Sequence, residues 1–338
     1  MGEVAHVPVS ASSTQAAPSD AESPGGSRGR RGPQSKVEHS SHTPPSHTPT
    51  LLKPFLLALV LLAGCASAPR LDPAPTLDVV TLNIWHDKGD APARLAAIAD
   101  TLEALRPDVV VLQEVLQDSA KGLANQAETL GDRIGYAVVF ASVDGPGRPK
   151  RYGNAILTRH PVTDTATVRL RPLDDYRVAA WARLDVDGRP LDVYATHLHH
   201  TAEGAEVRAE QVADVLAFID RTRGGAWLAA GDFNAPVDAP ELAPLALRTT
   251  DVFGAARPDA DVSTLVEALG HTPRRIDHVF AGPGFEPVAA RLVLAEPLAD
   301  GTWASDHRGV WARLRWPADG ALSRLPPGAT PPTVGPSR

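Results

Sequence analysis

In the stretch AWLAAGDFNAP, residues 226–236, an apolar run ends in a carboxylate and an amide two positions apart. Side chains alternate along a strand, so Asp232 and Asn234 face the same side if the chain is still extended there. Pro236 stops the strand just beyond. Two oxygen-bearing groups at a strand end can hold a metal, a water or a phosphate; the alternative is an Asx turn that only caps the loop. Similar residues recur where other apolar runs begin or end. Asn83 closes LDVVTLN, Gln113 and Glu114 fall in DVVVLQEV, and His197, His199 and His200 follow LDVYAT. Asp277 sits in RIDHVF, and Ser305, Asp306 and His307 precede GVWARLRW. Each alone has a plain structural explanation: a capped turn, a solvated carboxylate, a packed imidazole. Together, carboxylates and amides with several waters suit a hard cation, Mg²⁺ or Mn²⁺. Zn²⁺ would call for more His or Cys at ligand spacing.

These residues need strands to bring them together, and the pattern supplies strands. YAVVFA, NAILT, TATVRL, VAAWARLDV, LDVYATHLHH, AWLAAGD, RIDHVFAG, VAARLVL and GVWARLRW all read as extended segments, and DGRP marks a hairpin between two of them. Helices are predicted over 90–106, with Asp90 as N-cap, Pro92 in the first turn and Pro107 as the stop, and over 119–132. A third, over 203–220, places Val212, Val215, Leu216 and Ile219 on one face. Strands that are apolar throughout are covered on both faces. Many strands with a few helices imply two stacked sheets with helices outside.

The chain of 338 residues carries 33 Lys and Arg against 40 Asp and Glu, a net charge of −7. No basic run tracks a phosphate backbone, which argues against tight sequence-independent DNA binding. Residues 8–50 are mostly Ser, Pro, Ala, Gly, Thr and His and cannot bury enough surface to fold. Residues 1–50 are therefore expected to be a disordered extension, or to lie upstream of the true start. Lys53 then precedes a short apolar run that ends in LLAGCAS, with Cys65 the only cysteine. The run has the length of a signal-peptide core and is too short to span a bilayer. Residues 51–65 resemble a bacterial lipoprotein signal peptide, which implies acylation of Cys65 and a cell-envelope location, facing the periplasm or exterior. A linker follows over 66–76, one domain over 77–316, and a loose Pro- and Gly-rich tail over 317–338.

The ordered set TLNIW, LQEV, GNAILTRHPV, THLHH, GDFN, RIDHVF and SDH resembles the endonuclease/exonuclease/phosphatase family, to which deoxyribonuclease I belongs. The resemblance covers residues 77–316. It implies an α/β fold, a four-layer α/β sandwich of two mixed β-sheets packed face to face with helices outside. It also implies a Mg²⁺ (or Mn²⁺) phosphoesterase in which Asn83, Glu114 and Asp306 hold or support the metal. Asp232 would orient or deprotonate the attacking water, Asn234 would hold a phosphate oxygen, and His307 would be an essential histidine fixed by Asp277. His197 would be a second active-site histidine. Asn154 and Arg208 would contact substrate, Arg208 and Gln211 matching a motif that also supports the loop. The implied substrate is a phosphate ester, either nucleic acid or a phospholipid head group, with small-molecule phosphatase and non-catalytic binding module as alternatives. The basic loop DGPGRPKRY, with Arg148, Lys150 and Arg151, could steer an anion. The expected state is a monomer held to the membrane by its lipid anchor.

Overall fold

The computed structural model describes residues 75–317, together with residue 6 and residues 8–10. The expected signal peptide, Cys65 and the tail beyond residue 317 lie outside the described residues. Among the described residues, no helix is long and apolar enough to cross a membrane.

Among the described residues, thirteen strands form two sheets. In chain order they are β1 (Val9–Ser10), β2 (Thr76–Asn83), β3 (Val109–Asp118), β4 (Ala137–Ser142), β5 (Lys150–Thr158), β6 (Val162–Arg169) and β7 (Val178–Val186). Then follow β8 (Arg189–His197), β9 (Ala226–Asp232), β10 (Thr250–Asp251), β11 (Asp277–Ala281), β12 (Glu286–Val293) and β13 (Gly309–Arg315). The first sheet is ordered β1-β4-β5-β3-β2-β13-β12 and the second β10-β11-β9-β8-β7-β6. Most neighbours are antiparallel. Each sheet has one parallel pair, β2–β3 and β8–β9. A parallel pair needs a crossover, and each crossover carries a helix: α1 (Ala91–Leu105) in one and α3 (Ala205–Thr222) in the other.

Three apolar layers hold the four structural layers together. Val79, Val111 and Ile156 of the first sheet meet Val193, Leu228 and Val279 of the second. On the outer face of the first sheet, Val80, Leu82 and Leu112 pack on Ile98 and Leu102 of α1 and on Leu130 of α2 (Gln126–Ile134). On the outer face of the second, Tyr194, Trp227 and Phe280 pack on Val212, Val215, Phe218 and Ile219 of α3. Fully burying one such side chain contributes roughly 1.5–3 kcal/mol. The α/β sandwich expected from the motifs is the observed fold.

The predicted caps of α1 are present: Asp90 Oδ1 accepts from Ala93 N at 3.1 Å, and Arg106 adopts a left-handed conformation before Pro107. The helix predicted over 119–132 is instead split. A 3₁₀ turn, Ser119–Lys121, ends at left-handed Gly122, and Asn125 starts α2 afresh by accepting from Ala127 N and Glu128 N. A side-chain cap and a positive-φ glycine three residues apart outweigh the helical periodicity of that stretch.

Candidate active site

Register sets the first part of the site. Parallel pairing of β8 and β9 places His197 opposite Asp232, and antiparallel pairing of β9 and β11 places Asp277 opposite Asp232. Three functional side chains thus stand in a row across one sheet edge. The close approach of β8 and β9 requires Gly231, at φ +152°, where a Cβ would fall 2.0 Å from the Thr196 carbonyl oxygen. In the other sheet, Asn83 ends β2 beside Gln113 of β3. Glu114 lies in a β-bulge between Leu112 and Val115, with φ +58°. A bulge re-aims the side chains of its strand, and this one turns Glu114 onto Asn83 at the end of β2.

The two halves join through Asn83. Its Nδ2 donates to Glu114 Oε1 and to Asp232 Oδ2, both at 3.2 Å. His307, just before β13, brings its Nδ1 to 2.8 Å from Asp277 Oδ2 and its Nε2 to 3.9 Å from Asp232 Oδ2. From the other side, His197 Nε2 stands 3.4 Å from Asp232 Oδ2. Asn234, at φ +52°, donates its backbone N–H to Asp232 Oδ1 at 2.9 Å and its Nδ2 to Leu198 O at 3.0 Å. One amide hydrogen of Asn234 is left for another acceptor. These groups border a cavity of about 390 Å³, also lined by Tyr152, Arg177, His200, His271 and Arg274.

The two histidines are driven to opposite protonation states. Burial holds the His197 ring well below its usual range, and the nearby Arg177 and His307 cations push it further down. His307 is also buried, which disfavours its charge, but Asp277 outweighs that effect and raises it to about 10. Asp232, pushed up by burial and then by the Asp277 carboxylate, reaches about 7. Groups driven apart in this way are what acid–base chemistry at neutral pH requires.

Two places in the site could take a cation. Asp232, Asp277 and His307 offer one ligand atom each within 4.8 Å of one another. In that cluster, however, His307 Nδ1 is engaged by Asp277, leaving only one ring nitrogen for a ligand role. The other place is the partly exposed Glu114 beside Asn83. There the Glu114 and Asp232 carboxylates both accept from the one Asn83 amide, which gathers oxygen donors from both sheets at one point. Oxygen donors with room for water fit a hard cation.

The sequence profile of the Endonuclease/Exonuclease/phosphatase family matches residues 80–307. The chain belongs to this family. Its fold agrees with solved structures. An endonuclease/exonuclease/phosphatase from Beutenbergia cavernae is similar at 26% identity and TM-score 0.59, covering 72% of each chain. D. rerio TDP2, complexed with single strand DNA product, is similar at 22% identity and TM-score 0.60, covering 71% of this chain and 98% of that one. A Bacteroides vulgatus endonuclease/exonuclease/phosphatase is 17% identical with TM-score 0.60, covering 72% of this chain and 99% of that one. A search of curated proteins gives no match. Members of the family are phosphoesterase hydrolases and generally use a divalent metal.

Within this family fold, two residues expected at the substrate are engaged elsewhere. Asn154 is buried, and its Nδ2 donates to Val178 O at 2.8 Å, bridging the two sheets; it does not line the cavity. Arg208 is buried against Glu241 at 2.8 Å and donates to Thr201 O at 2.7 Å, so it fixes the loop after β8 rather than reaching substrate. Gln211 supports the same loop, accepting from His199 N at 2.8 Å. Asp306 stands at the edge of the site, 3.4 Å from the cavity-lining His271, and its charge helps to raise His307. Conversely, Tyr152, Arg177, His271 and Arg274 line the cavity without having stood out in the sequence. Only the proximity of Tyr152 to GNAILT and of Arg274 to RIDHVF could have marked two of them.

Proposed function

We propose that the protein hydrolyses a phosphodiester by in-line attack of water, with Mg²⁺ or Mn²⁺ as cofactor. The single observation that carries this reading is Asp232 flanked by His197 at 3.4 Å and by His307 at 3.9 Å, with His307 tied to Asp277 at 2.8 Å. Asp232, near neutrality in its proton affinity, orients the water and takes its proton. His307, held as a cation by Asp277, faces the negative charge that builds on the phosphoryl oxygens. Arg177 and the spare amide hydrogen of Asn234 add donors on the cavity wall. His197, kept neutral by burial, stays free to hydrogen-bond the phosphate. Glu114 and Asn83 would hold the cation, which would supply Lewis-acid stabilisation of the charge on the ester.

The substrate to try first is a nucleic-acid strand, since the similar D. rerio TDP2 holds a single strand DNA product. The test is a panel of single-stranded and plasmid DNA beside phospholipid vesicles, each with Mg²⁺, Mn²⁺ or chelator. Hydrolysis should stop on chelation and return with either metal. Full activity after verified metal removal sinks the proposal, and head-group release without strand cleavage moves the substrate to lipid.

We also propose that the enzyme is tethered to the bacterial envelope through acylated Cys65, on the strength of LLAGC behind Lys53. Intact mass of the protein from its native membrane decides this. A free thiol at Cys65, or a species still carrying Ser40, contradicts it.

A further inference from the structure

The loop after β2 is held in an unusual way. Trp85 and His86 are consecutive non-glycine residues with positive φ, +57° and +29°. Such conformations cost on the order of 1–3 kcal/mol each and persist only where the surroundings fix them. Here the fixing group is Arg94 of α1, whose buried guanidinium donates to the carbonyls of Ile84 (2.7 Å), Trp85 (3.1 Å), His86 (2.8 Å) and Lys88 (2.9 Å). Gln126 adds a second bond to the His86 carbonyl at 2.8 Å. A strained two-residue turn, clamped from within, has one consequence at the site. It brings the His86 ring beside Glu114, with Nε2 3.9 Å from Oε2.

The ring is oriented as well as placed. Asp87 Oδ1 engages His86 Nδ1 at 2.6 Å, and Tyr152 packs edge-to-face with centroids 6.2 Å apart. A carboxylate on one ring nitrogen, with the other directed at an acidic group, is how metal-binding histidines are set. Glu114 divides its oxygens accordingly: Oε1 accepts from Asn83, and Oε2 is the one that faces His86. His86 Nε2 and Glu114 Oε2 are too far apart to hydrogen-bond each other, so each keeps a lone pair for a shared ion.

We infer that His86 is a nitrogen ligand to the cation carried by Glu114, oriented for it by Asp87, and that it biases the site from Mg²⁺ toward Mn²⁺ and other metals that accept imidazole. Mg²⁺ prefers oxygen and water, whereas imidazole binds later divalent metals more strongly. The inference rests on the proposed metal dependence, but it concerns binding and can be read without turnover.

The full chain is stripped of metal, loaded with Mn²⁺ and examined by pulsed EPR for coupling to a ¹⁴N nucleus, with no substrate present. Nitrogen coupling is expected in the wild type and should vanish in His86→Gln. That variant should lose about tenfold or more in Mn²⁺ affinity and less than about threefold in Mg²⁺ affinity by calorimetry. Asp87→Asn, which leaves the ring but unties it, should keep the nitrogen signal and weaken Mn²⁺ by about tenfold. It remains decisive if His86→Gln fails to fold. Absence of nitrogen coupling in the wild type, its survival in His86→Gln, or equal weakening of both metals overturns the inference. Asp232→Asn separates the two readings. It should keep the nitrogen signal while hydrolysis is lost, so a failure of the hydrolytic proposal leaves this one standing on its own result.

Discussion

Replacing Asp277 by Asn should reverse the charge of His307 without removing it. The imidazole gains its proton affinity from one 2.8 Å contact with a buried carboxylate. Its rise from 6.5 to about 10 corresponds to roughly 5 kcal/mol of preferential stabilisation of the charged ring, achieved against burial. With an amide at position 277, burial is left as the main influence, and the ring should titrate below 6.5. His307 would then be neutral at pH 7, and turnover should fall by about 10²- to 10⁴-fold. The assay has two parts. Imidazole NMR follows the His307 titration in each variant, and turnover is measured for Asp277→Asn, His307→Ala and the double variant, with circular dichroism as a check on folding. Because the carboxylate acts through the ring, the double variant should be about as slow as His307→Ala alone. Losses that multiply, or a His307 titration unmoved in Asp277→Asn, would refute the reasoning. Stability carries the same signature in metal-free protein. His307 binds its proton more tightly folded than unfolded, so its contribution is complete below about pH 6.5 and is lost as pH rises through about 10. Asp232, whose folded affinity is raised to about 7, loses stability in the same direction, between its usual 3.8 and about 7.

Asp251 should act in the opposite sense. Burial opposes its charge, but His278 and Arg275 outweigh that and lower it to about 2, so its contribution is present above 3.8 and lost as pH falls through about 2. Asp251→Asn should cost about 3 kcal/mol in urea unfolding at pH 6, with the difference shrinking toward pH 2; an unchanged midpoint at pH 6 counts against the buried ion pair with Arg275. Asn154→Ala should lower stability by about 1–3 kcal/mol through the orphaned Val178 carbonyl while leaving KM unchanged. A several-fold rise in KM at unchanged stability would return Asn154 to the substrate.

The strand ends were legible because chemistry-bearing residues interrupt apolar runs there. Asn83, Glu114, His197, Asp232, Asn234, Asp277 and His307 all come from such interruptions, and the structure gathers them. The inter-sheet bond of Asn154 was not legible, for a physical reason. In GNAILT both faces of the strand are apolar, Ile156 toward the other sheet and Leu157 toward the helices. Without alternation, nothing in the pattern tells which way a polar residue points. Arg208 sits on a helix whose spacing was clear, but its partner Glu241 lies 33 positions away, beyond any local pattern. Arg177 reaches the cavity from a loop before β7, and a lone arginine in a loop carries no sequence signal of its own. His86 lay next to a motif residue, yet its role depends on two positive φ angles that the residue types do not announce.

The site is assembled across the seam between the sheets. Asn83 belongs to the first sheet and Asp232 to the second; His307 precedes a strand of the first, and Asp277 begins a strand of the second. The bonds that prepare the chemistry are therefore also rivets between two plates, and their lengths register how the plates sit. Packed sheets stand about 10 Å apart, a spacing set by the side chains between them. Enlarging one of the small inter-sheet residues, such as Ala180 or Ala230, would pry the plates apart by a fraction of an ångström far from any substrate. Turnover would report that displacement before any loss of secondary structure, which makes catalysis in this molecule a gauge of its innermost apolar layer.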